Sequence, residues 1–275
     1  MNNSMISSSV SMSALQKKLD LIAENVANAN TTGYKRKTSV FEDILNSVQP
    51  QHEDFLQEGR STPLGFTQGW GMRMSALLLD MSQATLMATN LPTDLAIEGK
   101  GLFEVAVPAP GGGTTPAYTR SGSFQLLPHP DGGRQLSTNT GMPVVNQDGE
   151  PIIVPDGYEL RVQSDGTLVG VSEADDTIID LGRIRVVDVR MPELLRSIGD
   201  NLYVIDDIPN RENVVVVMDE LPEGTMIMQG YTEASNVSLV DELTELISVQ
   251  RAYQLNARAL YSADQMLGMA VRLRA

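Results

Sequence analysis

Apolar residues recur at alternating spacings of three and four at both ends of the chain, whereas the middle follows a different rule. Near the start, Met12, Leu15, Leu19, Ile22, Val26 and Ala29 fall on one seam of a helix. Near the end, Leu246, Val249, Tyr253, Leu260, Ala263, Leu267 and Ala270 repeat that pattern. A second set, Leu255, Ala259, Met266, Met269 and Leu273, lies on an adjacent face of the same segment. A helix with two apolar faces has more than one neighbour to cover. The spacing is equally that of a helix pair inside one chain and of a device for joining copies.

The first helix is expected over about residues 4–29, closed by Asn28, Asn30 and Gly33, which accept turn or left-handed backbone. Residues 34–45 read as a short helix or a strand. Residues 46–70 carry Pro50, Gly59, Pro63, Gly65 and Gly69 and read as an extended connector. From about residue 93 short apolar runs bounded by turns predict strands at 94–97, 102–107, 117–120, 123–127, 143–145, 152–154, 159–162, 168–171, 177–179, 183–189, 202–205 and 213–218. Asp131-Gly132, Asp148-Gly149, Asp156-Gly157 and Asp165-Gly166 supply turns, and four such pairs in 36 residues exclude a helix there. Gly111 to Gly113, flanked by Pro108, Pro110 and Pro116, reads as a loop in a hairpin. The helical pattern returns near Ser235. The expected fold is α+β, with paired, coiled-coil-like N- and C-terminal long helices flanking a mainly β central domain. Its divisions are an N-terminal helix (1–35), a connector (36–92), a β-rich domain (93–234) and a C-terminal helix (235–275).

Composition places the chain among folded proteins, with 41% hydrophobic and 20% charged residues over a length of 275. No run approaches the roughly 18 consecutive apolar residues of a membrane-spanning helix, so direct membrane insertion is not expected. The opening residues have lysines after a weakly apolar stretch and no small-residue cleavage site, unlike a Sec-type signal peptide. The net charge of −15 is unevenly spread. Residues 1–40 hold five basic and two acidic groups, residues 236–275 four of each, and the segment between them 11 basic against 29 acidic, a net −18. An acidic body is the wrong sign for phosphate, so nucleic acid is not an expected partner.

Candidate chemistry is sparse. The absence of cysteine removes disulfides, thiolate catalysis and cysteine metal sites. His52 and His129 are the only histidines and sit among polar or turn residues, without a triad or zinc signature. Gly99-x-Gly101 lacks the third glycine and the following helix of a phosphate loop and reads as a turn. Asp175-Asp176 and Asp206-Asp207 read as solvated turn acids. No catalytic residue, metal or cofactor is expected. Asn25 and Asn256 lie where a polar group on an apolar seam sets register between subunits, and Gln250 and Arg251 are read the same way. The expected interface therefore comprises Met12, Leu15, Leu19, Ile22, Asn25, Val26, Leu246, Val249, Tyr253, Asn256, Leu260 and Leu267.

Separated motifs along nearly the whole chain resemble one family. Residues 15–35, with Asn25-Val-Ala-Asn-Ala-Asn-Thr-Thr-Gly-Tyr34 at their core, resemble the N-terminal signature of bacterial flagellar rod and hook proteins. Asp80-Met-Ser-Gln83, Thr89-Asn90 and Asp94-Leu-Ala-Ile-Glu-Gly-Lys-Gly-Leu-Phe103 resemble that family's entry into its β domain. Tyr118-Thr-Arg-Ser-Gly-Ser-Phe124, Gly141-Met-Pro-Val144 and Leu181-Gly-Arg-Ile184 follow in order. Gln229-Gly-Tyr-Thr-Glu-Ala-Ser-Asn-Val237 and Gln250-Arg-Ala-Tyr253 match the C-terminal motif. Ala84 stands where the family has glycine, and Leu102 where a second aromatic is common.

The resemblance implies a structural subunit of the basal-body rod, with terminal helices lining a hollow, torque-transmitting tube and a β domain outside it. It implies export through the flagellar type III apparatus without a cleaved signal and assembly under a rod cap, outside the cytoplasmic membrane. The implied partners are copies of itself and other rod and hook subunits. The opening Met1-Asn-Asn-Ser-Met5 and the overall match lean toward the proximal-type minor rod subunit rather than the distal one. A different class, a secreted β-domain enzyme or carbohydrate-binding module on a helical oligomerisation stalk, predicts instead a polar ligand cleft in the middle domain.

Overall fold

The computed structural model describes residues 2–43, 47–50, 65–68, 70–108, 113–130, 132–172, 175, 177–205, 214–218, 221–222 and 224–274. Two helices, α1 (Asn2–Ala27) and α2 (Leu239–Arg274), flank a mainly β middle, so the fold is α+β. The chain divides into two compact units. One gathers residues 1–27, 37–78 and 238–275, and the other residues 28–36 and 79–237. His52, Asp131, Asp176, Asp206 and Asp207 lie outside the described residues, as do Gly111 and Gly112.

In the helical unit, strands β1 (Lys37–Asp43), β2 (Ser47–Pro50), β3 (Gly65–Gln68) and β4 (Met72–Leu79) form two ribbons, β1 with β4 and β2 with β3. The segment 36–92, expected as an extended connector, thus contains paired strands. The first of them settles the choice between helix and strand for residues 37–43.

The β unit contains β5 (Leu86–Ala88), β6 (Leu95–Glu98), β7 (Leu102–Pro108), β8 (Thr114–Thr119), β9 (Phe124–Pro128), β10 (Arg134–Thr138), β11 (Ile153–Val154) and β12 (Tyr158–Val162). It continues through β13 (Thr167–Ser172), β14 (Ile178–Arg183), β15 (Val186–Val189), β16 (Leu195–Gly199), β17 (Leu202–Ile205), β18 (Val215–Met218), β19 (Met226–Gln229) and β20 (Tyr231–Glu233). Its largest sheet has the order β16-β17-β8-β7-β15-β18, with antiparallel neighbours. Both faces of this sheet are covered, because successive side chains on a strand point to opposite sides. Phe103, Val186, Leu202 and Val204 enter one core, while Leu102, Val187, Tyr203 and Ile205 enter another. Double burial explains why these strands read as continuous apolar runs. Phe103 meets Phe124 edge-on with ring centroids 5.3 Å apart.

One of the Asp-Gly turns is held by its aspartate side chain. In the turn between β12 and β13 the Asp165 carboxylate accepts from the Thr167 N–H (3.1 Å) and hydroxyl (2.8 Å), while Gly166 takes φ +87°. The expected strand at 143–145 is instead a set of single bridges, Pro143 to Ser137, Val144 to Val105 and Val145 to Pro151. Gly99 and Lys100 form the bend between β6 and β7. No described helix is long and apolar enough to cross a membrane.

Candidate assembly interface

The spacing of three and four brings α1 and α2 together in the helical unit. Leu15, Ile22 and Val249 are its buried core, with Leu19, Val26, Leu246, Ala252, Tyr253 and Met72 packed against them. Seven of the expected interface residues thus meet inside one chain. Met12, Asn256, Leu260 and Leu267 are half-buried and lie outside that core. Lys18 spans the pair, with its Nζ 2.6 Å from Glu245 and 5.5 Å from the centre of the Phe41 ring.

Asn25, only 1% exposed, ties three segments. Its Oδ1 accepts from the Lys37 N–H (3.1 Å), and its Nδ2 donates to the Lys37 carbonyl (2.9 Å) and to Glu242 Oε2 (3.3 Å). Helix α1 is thereby fixed to the start of β1 and to the first turns of α2. Lys37 Nζ also pairs with Glu24.

The opposite side of α2 has no such cover among the described residues. Val240, Leu243, Ile247, Leu255, Met266 and Met269 are all exposed, Val240 at 74%. Ala259 lies in the same exposed stripe, and the Leu273 side chain is outside the described residues. An apolar stripe along a helix whose other face is already packed is the signature of a surface that another chain covers.

In the β unit, the turn after α1 runs through Asn28 to Asn30. Asn28 accepts from Thr31 through both its carbonyl (3.1 Å) and its side chain (3.2 Å). Gly33 has φ +68°, and a Cβ there would sit 2.3 Å from the Ser121 nitrogen, so only glycine fits. Its N–H donates to the Glu233 carbonyl at 2.7 Å.

A buried ionic junction lies just beyond it. Lys35 Nζ donates to Glu233 Oε1 (2.8 Å) and to the Ser82 carbonyl (2.7 Å). Arg120 Nε donates to Glu233 Oε2, its Nη1 to the Gly101 carbonyl, and its Nη2 to the Ile97 and Gly99 carbonyls, both at 2.8 Å. The Ala84 N–H adds a 2.8 Å bond to Glu233 Oε1. Burial would push the Glu233 carboxyl up, but the Arg120 charge, the Ala84 N–H and Lys35 outweigh it and hold it below the ordinary range. Burial lowers the Lys35 ammonium against the opposing pull of Glu233. Sequence reasoning missed this junction as a site. A signal was present, because three of the quoted motifs each contribute one charged member: Lys35, Arg120 and Glu233.

A polar cavity of about 290 Å³ also opens on the β unit, lined by hydroxyls and amides including Asn28, Thr32, Thr119, Ser121 and Asn139. Among the described residues of its lining Asp200 is the sole charged group, and none is a histidine to serve as a base or an aromatic ring for a sugar to stack on.

A packed helix pair with one apolar face left open, carried on the same chain as a rigid β unit, defines a structural assembly subunit. Family models agree along the chain. The flagella basal body rod protein model matches residues 9–35, the flagellar hook protein FlgE/F/G D1 domain residues 96–170, and the flagellar basal body rod FlgEFG protein C-terminal model residues 228–273. The flagellar basal-body rod protein FlgG of Borreliella burgdorferi is 32% identical over 96% of this chain and 95% of its own. FlgG of Caulobacter vibrioides is 32% identical over 96% of each chain, and the flagellar hook-basal body complex protein FlhP of Bacillus subtilis 30% over 98% of each. The chain belongs to the flagellar basal-body rod protein family and is a structural component of the rod, not an enzyme. It assembles with other rod and hook subunits of the basal body. The FlgG relatives lend no support to the lean toward a proximal-type subunit drawn from residues 1–5 and the overall match, and the comparisons give none to the enzyme or carbohydrate-binding alternative.

Proposed function

We propose that this chain is a distal-type rod subunit that polymerises with copies of itself through its terminal helices into the hollow shaft that carries torque to the hook. The single observation that supports this most directly is the exposed stripe Val240, Leu243, Ile247, Leu255, Met266 and Met269. At ~25 cal/mol per Å² of apolar area, covering such a stripe is a substantial driving force for association. Half-buried Met12, Asn256, Leu260 and Leu267 serve as the edge of the contact, with Asn256 setting register. A coiled-coil-like seam between α1 and α2 keeps each subunit's pair stiff. The subunit travels unfolded through the flagellar type III apparatus without signal cleavage and is added under the rod cap outside the cytoplasmic membrane. The helical ends reach full order when neighbouring copies cover them.

The test is electron microscopy of the purified protein mixed with its rod and hook partners, with Leu255→Asp as the paired variant. Tubes from the wild type and none from the variant are expected. Compact closed oligomers from the wild type would overturn the reading. Circular dichroism across the same concentration series reports whether helical signal grows with assembly.

A further inference from the structure

The buried junction is unbalanced in charge. Among the described residues Glu233 is the one acid hydrogen-bonded to both Lys35 and Arg120, which are 1% and 4% exposed. An ammonium carries three donors and a guanidinium five. Lys35 uses two of its three and Arg120 four of its five, so one Nζ hydrogen and one Nη1 hydrogen have no acceptor among the described residues. Both residues line a cavity of about 520 Å³, whose other cations are Lys100 and Arg190 at exposed positions. Asp188 is the one acid in the lining, and beyond it Asp80 acts on Lys35 only through space. Three of the 11 basic residues between positions 41 and 235 converge here, joined by Lys35, in a segment of net charge −18. The remaining lining includes the apolar side chains of Met81, Leu102 and Val189. The cavity thus suits a carboxylate carried beside an apolar side chain.

Among the described residues two exposed helical turns carry that combination: Glu193-Leu194, whose neighbour Pro192 lines the cavity itself, and the first turn of α2. Val240 has the highest exposure of the large hydrophobics described, and Asp241 beside it is exposed in the first turn of α2. We propose that this cavity is a socket for the first turn of α2 from a second copy of the chain, with Asp241 meeting the cationic wall and Val240 the apolar lining. The inference rests on the assembly reading above and adds to it a contact between the β unit of one copy and the helical start of another. A carboxylate that is desolvated among several cations sets register and partner choice as well as affinity.

Charge reversal tests it on the full-length protein, with assembly followed by sedimentation. Arg190→Glu and Asp241→Arg each occupy exposed positions and are each expected to raise the concentration needed for assembly about tenfold. The double variant is expected to return to within about threefold of wild type, because the pair is restored with its signs exchanged. The absence of cysteine gives a second measurement. Met81→Cys and Val240→Cys proteins are co-assembled and treated with diamide, which takes up the two thiol hydrogens as the disulfide forms. A covalent dimer is expected from the mixture and not from either protein alone. Normal assembly by both charge variants, additive rather than compensating effects, or assembled material without the mixed dimer overturns the socket and leaves the assembly reading standing. A wild-type protein that forms no tubes with its partners overturns both.

Discussion

Asn25 and Glu242 are 217 positions apart in the chain and joined by a hydrogen bond of 3.3 Å, with Glu242 fully buried and Asn25 1% exposed. The same amide makes both backbone bonds to Lys37. One side chain therefore sets the angle at which the first strand leaves α1 and fixes α2 against it. Asn25→Leu keeps the volume close and removes these three bonds, so that the Lys37 backbone groups and the Glu242 carboxylate each lose one buried contact. The expected cost is about 1–3 kcal/mol, read as a lower melting temperature of the helical signal. An unchanged melting curve would mean that Lys37 and Glu242 find other partners at no cost.

Lys35, Arg120 and Glu233 form the corresponding knot of the β unit. Replacing Glu233 by alanine leaves two buried cations facing each other and is expected to destabilise by about 3–5 kcal/mol. Glu233→Gln keeps the shape and one acceptor and should cost less. Unfolding in urea followed by tyrosine fluorescence orders the series. The order wild type, Gln, Ala is expected, and equal stability for all three would show that the junction contributes nothing net.

The direction of the acid response follows from three depressed carboxyls in that unit. For Asp80, burial raises the pKa but the Ser82 N–H and hydroxyl and the Lys35 charge outweigh it, and for Asp165 the Thr167 hydroxyl and N–H lower it. Glu233 joins them. A carboxyl whose folded pKa lies below its unfolded value contributes stability that is complete above the unfolded value, near 4. That contribution is lost as pH falls through the folded value. Lys35 follows the same sign in a window below its own ordinary value. Its folded pKa lies below the ordinary 10.5, so between those values the unfolded chain binds more protons and stability rises with pH. Melting temperature is expected to fall on acidification from about pH 5 downward, and Glu233→Gln is expected to flatten that fall. A variant as acid-sensitive as wild type would remove Glu233 from the cause.

The seam of three and four was legible because a helix face must be apolar wherever it is covered. It does not say which chain does the covering, since Leu15 against Val249 obeys the same packing rules in one molecule as in two. Asn25 shows this directly: a polar residue on a seam, bonded to Lys37 and Glu242 inside its own chain. Strands with dense apolar runs, such as Leu102–Pro108 and Leu202–Ile205, were equally plain. Arg134–Thr138 was not, because Leu136 is its single large apolar side chain. Leu195–Gly199 exposes four of its five residues as a sheet edge and carries little hydrophobic signal. The ionic junction escaped for a further reason. Its members come from positions 35, 120 and 233, and no local period links charges that only the fold brings together.

The two faces of α2 and its partner make separable predictions. Ile22 is 2% exposed in the core of the helix pair, whereas Ile247 is 50% exposed on the open stripe. Truncating Ile22 to alanine leaves a cavity against Val249 and is expected to cost about 2–4 kcal/mol, lowering the melting temperature at concentrations where no assembly occurs. Ile247→Asp places a charge on a surface already in water, so the stability of the isolated subunit should stay within about 0.5 kcal/mol. In the assembled tube the same carboxylate would be buried without a counter-ion, a cost of several kcal/mol per subunit repeated along the shaft. Normal stability with loss of tubes is therefore expected for Ile247→Asp. For Ile22→Ala, reduced stability is expected together with tubes that form at low temperature and dissolve on warming. If Ile247→Asp assembles normally, the open stripe is not the contact between subunits. If Ile22→Ala melts like wild type, Ile22 does not pack between the helices of one chain.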